Sequence, residues 1–373
     1  MDNIERTMNI LHYKKADRLP AVHFGYWPEV LIEWAEQGKI SMELAKGWRI
    51  GNECEIELDR MLGWDFNYLR QQMMPNHRLY PPFETKVLET LPDGSQRVQN
   101  HLGLIERIKP GLRSIPSEDD YLLKDRDAFE KLYKPRLKYF PERVDREFFS
   151  HFNETRSYDS PACLYMGSIL GDIRDMCSLV GMSYLMYDED EDLFRDIVDT
   201  HADLQYECIK AVFETGARFD FCHMWEDMCF KTGPLISPKH FEEYAAKHYK
   251  RYTDLCHQYG IDIVSLDCDG VVDELIPIWL ENGVNTIFPI EVGVWGDQFA
   301  AARKKYGERL LGVGGMDKRV LREDKAAVDA EIERLKPIIA LGGFIPCVDH
   351  NIMPGTKFEL VQYYTDKIKS LKI

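Results

Sequence analysis

Residues 261–270 read IDIVSLDCDG, and the alternation in this stretch decides how the rest of the chain is read. In an extended backbone successive side chains point to opposite faces, so Val264, Leu266 and Cys268 share one face while Ser265, Asp267 and Asp269 share the other. Two carboxylates then project into one space. Residues 342–351, GGFIPCVDHN, repeat the theme: a short strand ends in Asp349 and His350, where a chain normally turns from strand into loop. Two aspartates and a histidine, each closing a strand, suit a metal or acid/base site.

Outward from 261–270 the pattern is regular. Before it, 162–169 (ACLYMGSI) reads as strand, then helix to 187, a further helix over 191–215, strand over 219–227 (FDFCHMWED) and helix over 238–259. After it come helix 273–282, strand 286–292 (TIFPIEV), helix 297–307, strand 310–314, helix 324–341, strand 343–349 and a terminal helix over 358–371. Toward the N-terminus, 2–16 reads as helix, 19–26 (LPAVHFGY) as strand, 28–37 as helix and 60–69 as a weaker strand. Eight strand candidates, most followed by a helix, imply a parallel sheet with right-handed crossovers that closes as a (β/α)8 TIM-type barrel. A doubly wound sheet is the alternative. Residues 86–109 break the rhythm: Asp93-Gly94 between alternating residues predicts an antiparallel hairpin inserted at the rim. Residues 115–156, charged and aromatic, read as surface helices starting near Pro116-Ser117-Glu118-Asp119. No linker, low-complexity tract or repeat divides the chain, so 1–373 is expected to be one barrel domain with an N-terminal helical extension.

The formal net charge of -16 and the lack of a concentrated basic window argue against nucleic acid. The N-terminus, MDNIERTMNILHYKK, has no apolar run of signal length, and no membrane-spanning stretch follows. Nine scattered cysteines without a CxxC pair suit buried thiols in a reducing cytoplasm. Composition leaves the oligomeric state open.

In a barrel of this kind, functional groups lie at the C-terminal ends of the strands. Glu226 and Asp227, Asp267 and Asp269, Glu291, Asp317, and Asp349 with His350 all fall there. An aspartate between strand and helix is also a favoured N-cap, a reading that fits Asp317 and Asp227 better than Asp267 and Asp269. Parity groups Glu226 with Asp220, Cys222 and Met224, which turns Glu226 into the barrel if the backbone stays extended. A histidine with two or three carboxylates suits a divalent cation, zinc foremost and manganese or magnesium next, with a coordination position left open. Cys347 offers a soft ligand, whereas alternation turns Cys268 toward the core. Gly314-Gly315 allows close backbone approach and is weak evidence for phosphate. There is no Walker loop, helix-opening GxGxxG, HExxH or nucleophile elbow.

Several features together resemble the uroporphyrinogen decarboxylase superfamily. They are the Glu5-Arg6 helix followed by Asp17-Arg18-Leu19-Pro20, the Gly-Pro-Leu-Ile-Ser-Pro run at 233–238, Asp267-Cys268-Asp269-Gly270, Phe288-Pro289-Ile290-Glu291 and the closing GGFIPCVDHNIMPG. The resemblance spans nearly the whole chain and implies a single (β/α) barrel. True decarboxylases of that family carry an arginine-rich segment after the first strand to hold substrate carboxylates; here that place reads His23-Phe24-Gly25-Tyr26-Trp27-Pro28, without arginine. Arg18, Arg70 and Arg174 are the few cations left for a decarboxylase or other lyase. The other branch, cobalamin-dependent methyltransferases, holds zinc through a His-x-Cys pair and a distant Cys. Those positions are similar to Asp267, Asp269 and His350, so an oxygen-rich set replaces a sulfur-rich one. The resemblance implies an O-demethylating methyltransferase that passes a methyl group from a methoxylated aromatic to a separate corrinoid protein. Glu226 and Glu291 are then the expected catalytic residues, as further ligand or proton donor. Tyr26, Trp27 and Met166 are expected on the donor ring, with core or rim packing the competing reading. Transfer from a methyl-corrinoid to a thiol or folate is the other methyltransferase possibility. The chain has no DxHxxG, so cobalamin belongs to the partner.

Overall fold

The structure is a computed structural model and describes residues 1–110, 116–157, 159–188, 190, 192–296 and 298–371. In chain order its strands are β1 (Val22–His23), β2 (Phe66–Asn67), β3 (Gln71–Met73), β4 (Lys86–Thr90), β5 (Gln96–Gln99), β6 (Leu104–Ile108), β7 (Ser117–Tyr121), β8 (Ala162–Tyr165), β9 (Phe221–Trp225), β10 (Cys229–Phe230), β11 (Gly233–Pro234), β12 (Val264–Asp267), β13 (Thr286–Ile290), β14 (Leu311–Met316) and β15 (Phe344–Val348). One sheet runs β2-β1-β15-β14-β13-β12-β9-β8-β3, nine strands in all. Its two edges, β2 and β3, are pieces of one segment separated only by residues 68–70. β2 pairs parallel with β1, and β3 pairs parallel with β8, so the sheet closes on itself through that segment. Counting β2 and β3 as one interrupted strand leaves an eight-stranded parallel barrel, as the strand count anticipates. A doubly wound sheet would keep two free edges.

The local causes are ordinary. β8, β12, β13 and β15 are buried at every position, as strands covered on both faces must be, and they draw mainly on β-branched, aromatic and aliphatic residues. The helix Pro238–Gln258 buries Phe241, Tyr244, Ala245, His248, Tyr249, Tyr252, Leu255 and Cys256, one face at three- and four-residue spacing. It starts where Ser237 Oγ accepts the His240 N–H at 3.2 Å. Inside the barrel an aromatic layer fills the bore: Tyr68 lies 4.5 Å from Phe288 and 4.9 Å from Phe221, and Phe24 meets Phe288 at 4.8 Å.

The differences from expectation lie mostly before residue 160. The first helix is Asn3–Leu11, shorter than 2–16. The strand expected over 60–69 shrinks to β2 because the helix Glu53–Leu62 occupies its first part and ends at Gly63, which takes a left-handed φ of 78°. The 86–109 hairpin turns at Asp93-Gly94 but belongs to a four-stranded antiparallel sheet, β4-β5-β6-β7. Residues 117–121, expected to open a surface helix, are its last strand, with Leu104 of β6 opposite Tyr121. There the unpaired edge of β6 outweighs the local capping preference of Ser117 and Asp119. Beyond β7 come short helical pieces: Tyr133 in them donates its hydroxyl to the Leu102 carbonyl at 3.0 Å, and Phe149 and Phe152 of the last, Arg146–Thr155, pack on Phe219. Residue 115, and residues 191 and 297 where helices were expected to begin, lie outside the described residues.

This rim sheet docks on the helix Gly171–Met186, where Tyr121 lies over Gly181; a Cβ at that glycine would come within 2.8 Å of the ring. The turn between β5 and β6 thereby sits beside the C-terminal ends of β8 and β9, with His101, Leu102, Tyr165 and Trp225 lining one cavity.

Candidate functional site

At the C-terminal mouth of the barrel, one carboxylate oxygen from each of Asp227, Asp267 and Asp269 lies within 4.8 Å of the others. Asp267 ends β12 and is 9 % exposed, while Asp269 follows two residues later. Asp227 follows β9, and a left-handed backbone, φ 47°, redirects the chain at that residue. Its Oδ1 accepts the Asp269 N–H at 3.1 Å, which ties the two loops together. Asp269 Oδ1 is buried and has no hydrogen-bond partner. On its other oxygen, His350 Nε2 approaches Asp269 Oδ2 to 3.5 Å. The His350 ring is held between Phe24, edge-on at 5.0 Å, and Trp27, stacked at 6.4 Å. Glu291 completes the ring of acids, its Oε2 accepting the Gly270 N–H at 3.2 Å.

The electrostatics follow from crowding. Burial pushes the Asp267 carboxyl well above its ordinary value, and the charges of Asp227, Asp269 and Glu291 push it further. Asp227 and Glu291 are raised by burial first and by Asp269 second. Asp349 is raised mainly by its burial; its oxygens accept the N–H groups of Lys318 and Gly293 at 3.2 Å each, and Lys318 Nζ stands 3.6 Å away. Asp349 therefore binds the loops after β14 and β13 to the end of β15, and only His350 of that pair reaches the acids.

Of the residues singled out in sequence, the structure brings Asp267, Asp269, His350, Glu291 and Trp27 to the mouth. Three others are placed elsewhere. Glu226 is fully buried on the helix side of β9, where it accepts from the N–H groups of Ile169 (2.7 Å), Leu170 (3.0 Å) and Gly171 (3.0 Å), from Ser168 Oγ (3.1 Å) and from the Tyr249 hydroxyl (2.5 Å). All its lone pairs are spent on the start of the Gly171–Met186 helix. Met166 packs outward, its sulfur 3.4 Å from Cys256 Sγ on the Pro238–Gln258 helix. Tyr26, 4 % exposed, lies among Trp34, Trp48 and His23 beneath the N-terminal helices. Cys347 is fully buried and its thiol is raised well above the ordinary value by burial, so it brings no thiolate to the acids. Gly314 has no room for phosphate, since a Cβ there would lie 2.3 Å from the Ile290 nitrogen. Asp317 is the N-cap it was read as, accepting the Arg319 N–H at 3.0 Å.

Sequence reasoning gave Asp227 to a helix cap, and the structure gives it to the cluster. The one available signal was its position just past a strand end. The parity argument that favoured Glu226 instead was inverted, because Phe221 and His223 face the bore while Cys222 meets Cys256 outside at 3.4 Å.

Beside the acids is a cavity of about 270 Å³, walled by Arg78, His101, Tyr165, Asp172, Asp175 and Trp225 among others. Asp172 is engaged by His201 Nε2 at 3.0 Å and by the Gln205 amide at 3.1 Å. Burial pushes Asp175 up to about 6. Arg174 spans the gap to the acids: it donates to the Asp227 carbonyl and lies 5.4 Å over the Trp225 ring.

A closed eight-stranded parallel barrel with a cluster of carboxylates at the C-terminal ends of its strands defines a TIM-type barrel protein. The sequence model of uroporphyrinogen decarboxylase (URO-D) matches residues 171–371, more than half of the chain, and the protein belongs to that family. No curated protein matches it. Among solved structures, a methyltransferase from Methanosarcina mazei shares the fold with a TM-score of 0.58 at 14 % identity, over 99 % of this chain and 98 % of that one. A B12-independent methionine synthase from Shewanella sp. W3-18-1 aligns with a TM-score of 0.48 at 11 % identity, over 94 % and 96 %. Among the described residues no helix is long and apolar enough to cross a membrane.

Proposed function

We propose that this chain, as one barrel domain, is a metal-dependent methyltransferase that moves a methyl group from a methoxylated aromatic donor to the cobalt of a separate corrinoid protein. The observation that carries the reading is the close carboxylate triplet Asp227, Asp267 and Asp269 with its orphaned Asp269 oxygen. A donor set of hard oxygens with an imidazole at its edge fits a divalent cation, zinc among them, and Asp227, Asp267, Asp269 and His350 are the residues that would hold it. When bound, such a cation supplies a Lewis acid that draws developing charge onto an ether oxygen.

The chain's own groups do the rest. Phe24 and Trp27 fix the His350 ring, and Asp349 with Lys318 fixes the loop from which His350 projects. The Phe24, Tyr68 and Phe288 layer closes the bore below and keeps water from entering behind the acids. Glu291, its carboxyl raised above the ordinary value by burial and by Asp269, is the group at the mouth suited to give a proton to a leaving phenolate. The corrinoid would approach from the open side, where Trp27 is 43 % exposed and Phe230 55 % exposed.

A decarboxylase for a polycarboxylate would need unpaired cations, and the three expected for it are engaged. Arg18 pairs with Asp65 at 2.7 Å, Arg70 with Glu55 and Asp59, and Arg174 with the Asp227 carbonyl. The test is methyl transfer from a methoxyarene to added cob(I)alamin, followed by the methylcobalamin spectrum and the released phenol. Asp269→Ala and His350→Ala should lower the rate at least about 100-fold, the scale expected when a metal site loses a ligand or its support. Full turnover in chelator, or carbon dioxide release from a porphyrinogen, would remove this reading.

A further inference from the structure

One acid of the triplet is aimed by a residue that lies outside it. Asp227 has a left-handed backbone, φ 47°, which disfavours most side chains and which aspartate tolerates better than most. Rotation about its N–Cα bond swings Cβ and the carbonyl carbon together, so a group that grips the Asp227 carbonyl also directs its carboxylate. Arg174 is that group. Its guanidinium donates to the Asp227 carbonyl oxygen and lies 5.4 Å over the Trp225 ring, so it holds the chain on both sides of Glu226. Its other terminal nitrogen stands 3.4 Å from Asp175 Oδ1.

The element that carries Arg174 is itself fixed against the end of β9. Arg174 sits at the start of the Gly171–Met186 helix, and that start is pressed on the strand so closely that a Cβ at Gly171 would collide with the Glu226 carbonyl oxygen. The Arg174 side chain is 19 % exposed, and its reach is spent inward rather than on solvent. On the opposite side Asp227 Oδ1 accepts the Asp269 N–H at 3.1 Å. Asp227 is therefore held at both ends, its carbonyl by the helix and its carboxylate by the loop after β12.

We propose that Arg174 is a positioning residue for the cation site: it holds Asp227 in the rotated backbone that presents the third carboxylate, and it acts on the cation only through Asp227. The inference rests on the cation half of the proposed function and is independent of the methyl donor. Charge and position predict opposite signs here. A guanidinium close to a cation site repels the cation, so charge alone would make Arg174→Met bind a divalent ion more tightly. Positioning predicts weaker binding, on the 10- to 100-fold scale that follows loss of a group supporting a metal ligand.

The experiment titrates Co2+ alone into the wild-type chain, Arg174→Met, Arg174→Lys, Asp227→Ala and the Arg174→Met/Asp227→Ala double variant, read by calorimetry and by the visible absorption of the bound ion. Arg174→Met should bind Co2+ at least about tenfold more weakly than wild type, with a bound-ion spectrum that matches that of Asp227→Ala, the chain lacking that carboxylate. Arg174→Lys keeps the charge without the planar fork and should recover part of the affinity. In the Asp227→Ala background Arg174→Met has nothing left to position, so it should cause no further weakening. Melting curves in chelator check that each variant is folded; if Arg174→Met is not, Arg174→Lys carries the test, with an intermediate loss that disappears in the Asp227→Ala background. Unchanged or tighter Co2+ binding with a wild-type spectrum in Arg174→Met, or an equal loss whether or not Asp227 is present, would overturn the proposal and leave the cation site standing. A wild-type chain that binds no Co2+ would instead remove the cation site itself.

Discussion

Replacing Asp267 by asparagine should stabilise the cation-free protein and remove its response to divalent cations. Three carboxylate oxygens lie within 4.8 Å of one another. At that separation two unit charges repel by about 3.5 kcal/mol for an effective dielectric constant of about 20, so three ionised pairs would cost roughly 10 kcal/mol. That approaches the whole stability of a folded domain, about 5–15 kcal/mol, so the cluster must hold either a proton or a cation. Asp267, buried and facing three other acids, has its carboxyl raised well above the ordinary value, by burial first and then by Asp227, Asp269 and Glu291. A raised carboxyl binds its proton more tightly folded than unfolded, so its contribution is full below the unfolded pKa and is lost as pH rises through the folded one. In chelator the wild-type melting temperature should thus fall as the solution is made more alkaline. Asp267→Asn replaces the proton with a permanent neutral group and should flatten that fall.

With cation the order reverses. A ligand at 100 times its Kd adds about 2.7 kcal/mol to the folded state. For 373 residues at about 2.1 cal/mol/K each, the unfolding entropy is roughly 0.8 kcal/mol/K, so the melting temperature should rise by about 3–4 °C. The rise should grow with pH, because the cation displaces protons. The assay is scanning calorimetry from pH 5 to about 9 in chelator, zinc, manganese or magnesium. An Asp267→Asn protein less stable than wild type in chelator throughout, or one with an undiminished cation shift, would refute the crowding argument.

Glu226→Ala should strip the Ile169, Leu170 and Gly171 N–H groups and the Tyr249 hydroxyl of their acceptor, at a cost of about 3–5 kcal/mol. Glu226→Gln should cost less, and both should keep the cation shift, measured by the same calorimetry; a silent melting curve with a lost cation response would restore Glu226 to the site. His223, buried against Phe288 and bonded to Ser265 Oγ at 2.7 Å, is held neutral by burial, its pKa lowered to about 3. Since the unfolded imidazole takes a proton below about 6.5, stability should fall by about 1.4 kcal/mol per pH unit as the solution is acidified toward 3, or about 2.7 kcal/mol at pH 4.5. His223→Asn should show a shallower acid limb in urea unfolding; an unchanged slope would mean the acid loss arises elsewhere.

What was legible in sequence, and what was not, divides along one physical line. The alternation of strand and helix after residue 160 survives nearly intact, because each crossover helix shows its buried face at three- and four-residue spacing. Which way a barrel strand faces is written far less clearly. β8, β12 and β15 are covered on both sides, so apolar residues occupy both faces and parity alone does not tell bore from helix layer. Along β12 the polar parity mate Ser265 pointed inward, to His223, and Asp267 and Asp269 followed it. Along β9 the same reasoning ran the wrong way, since Cys222 and Glu226 face outward and the polar residue in the bore is His223. The third acid reaches the mouth only because the chain leaves extended geometry at Asp227, φ 47°, a conformation that aspartate tolerates better than most side chains. An aspartate after a strand therefore has two readings, a helix cap or a reversed side chain, and the partner decides between them. Asp317 finds Arg319 and caps; Asp227 finds the Asp269 N–H across the mouth and joins the acids. That partner comes from another strand 42 residues away, beyond any local pattern.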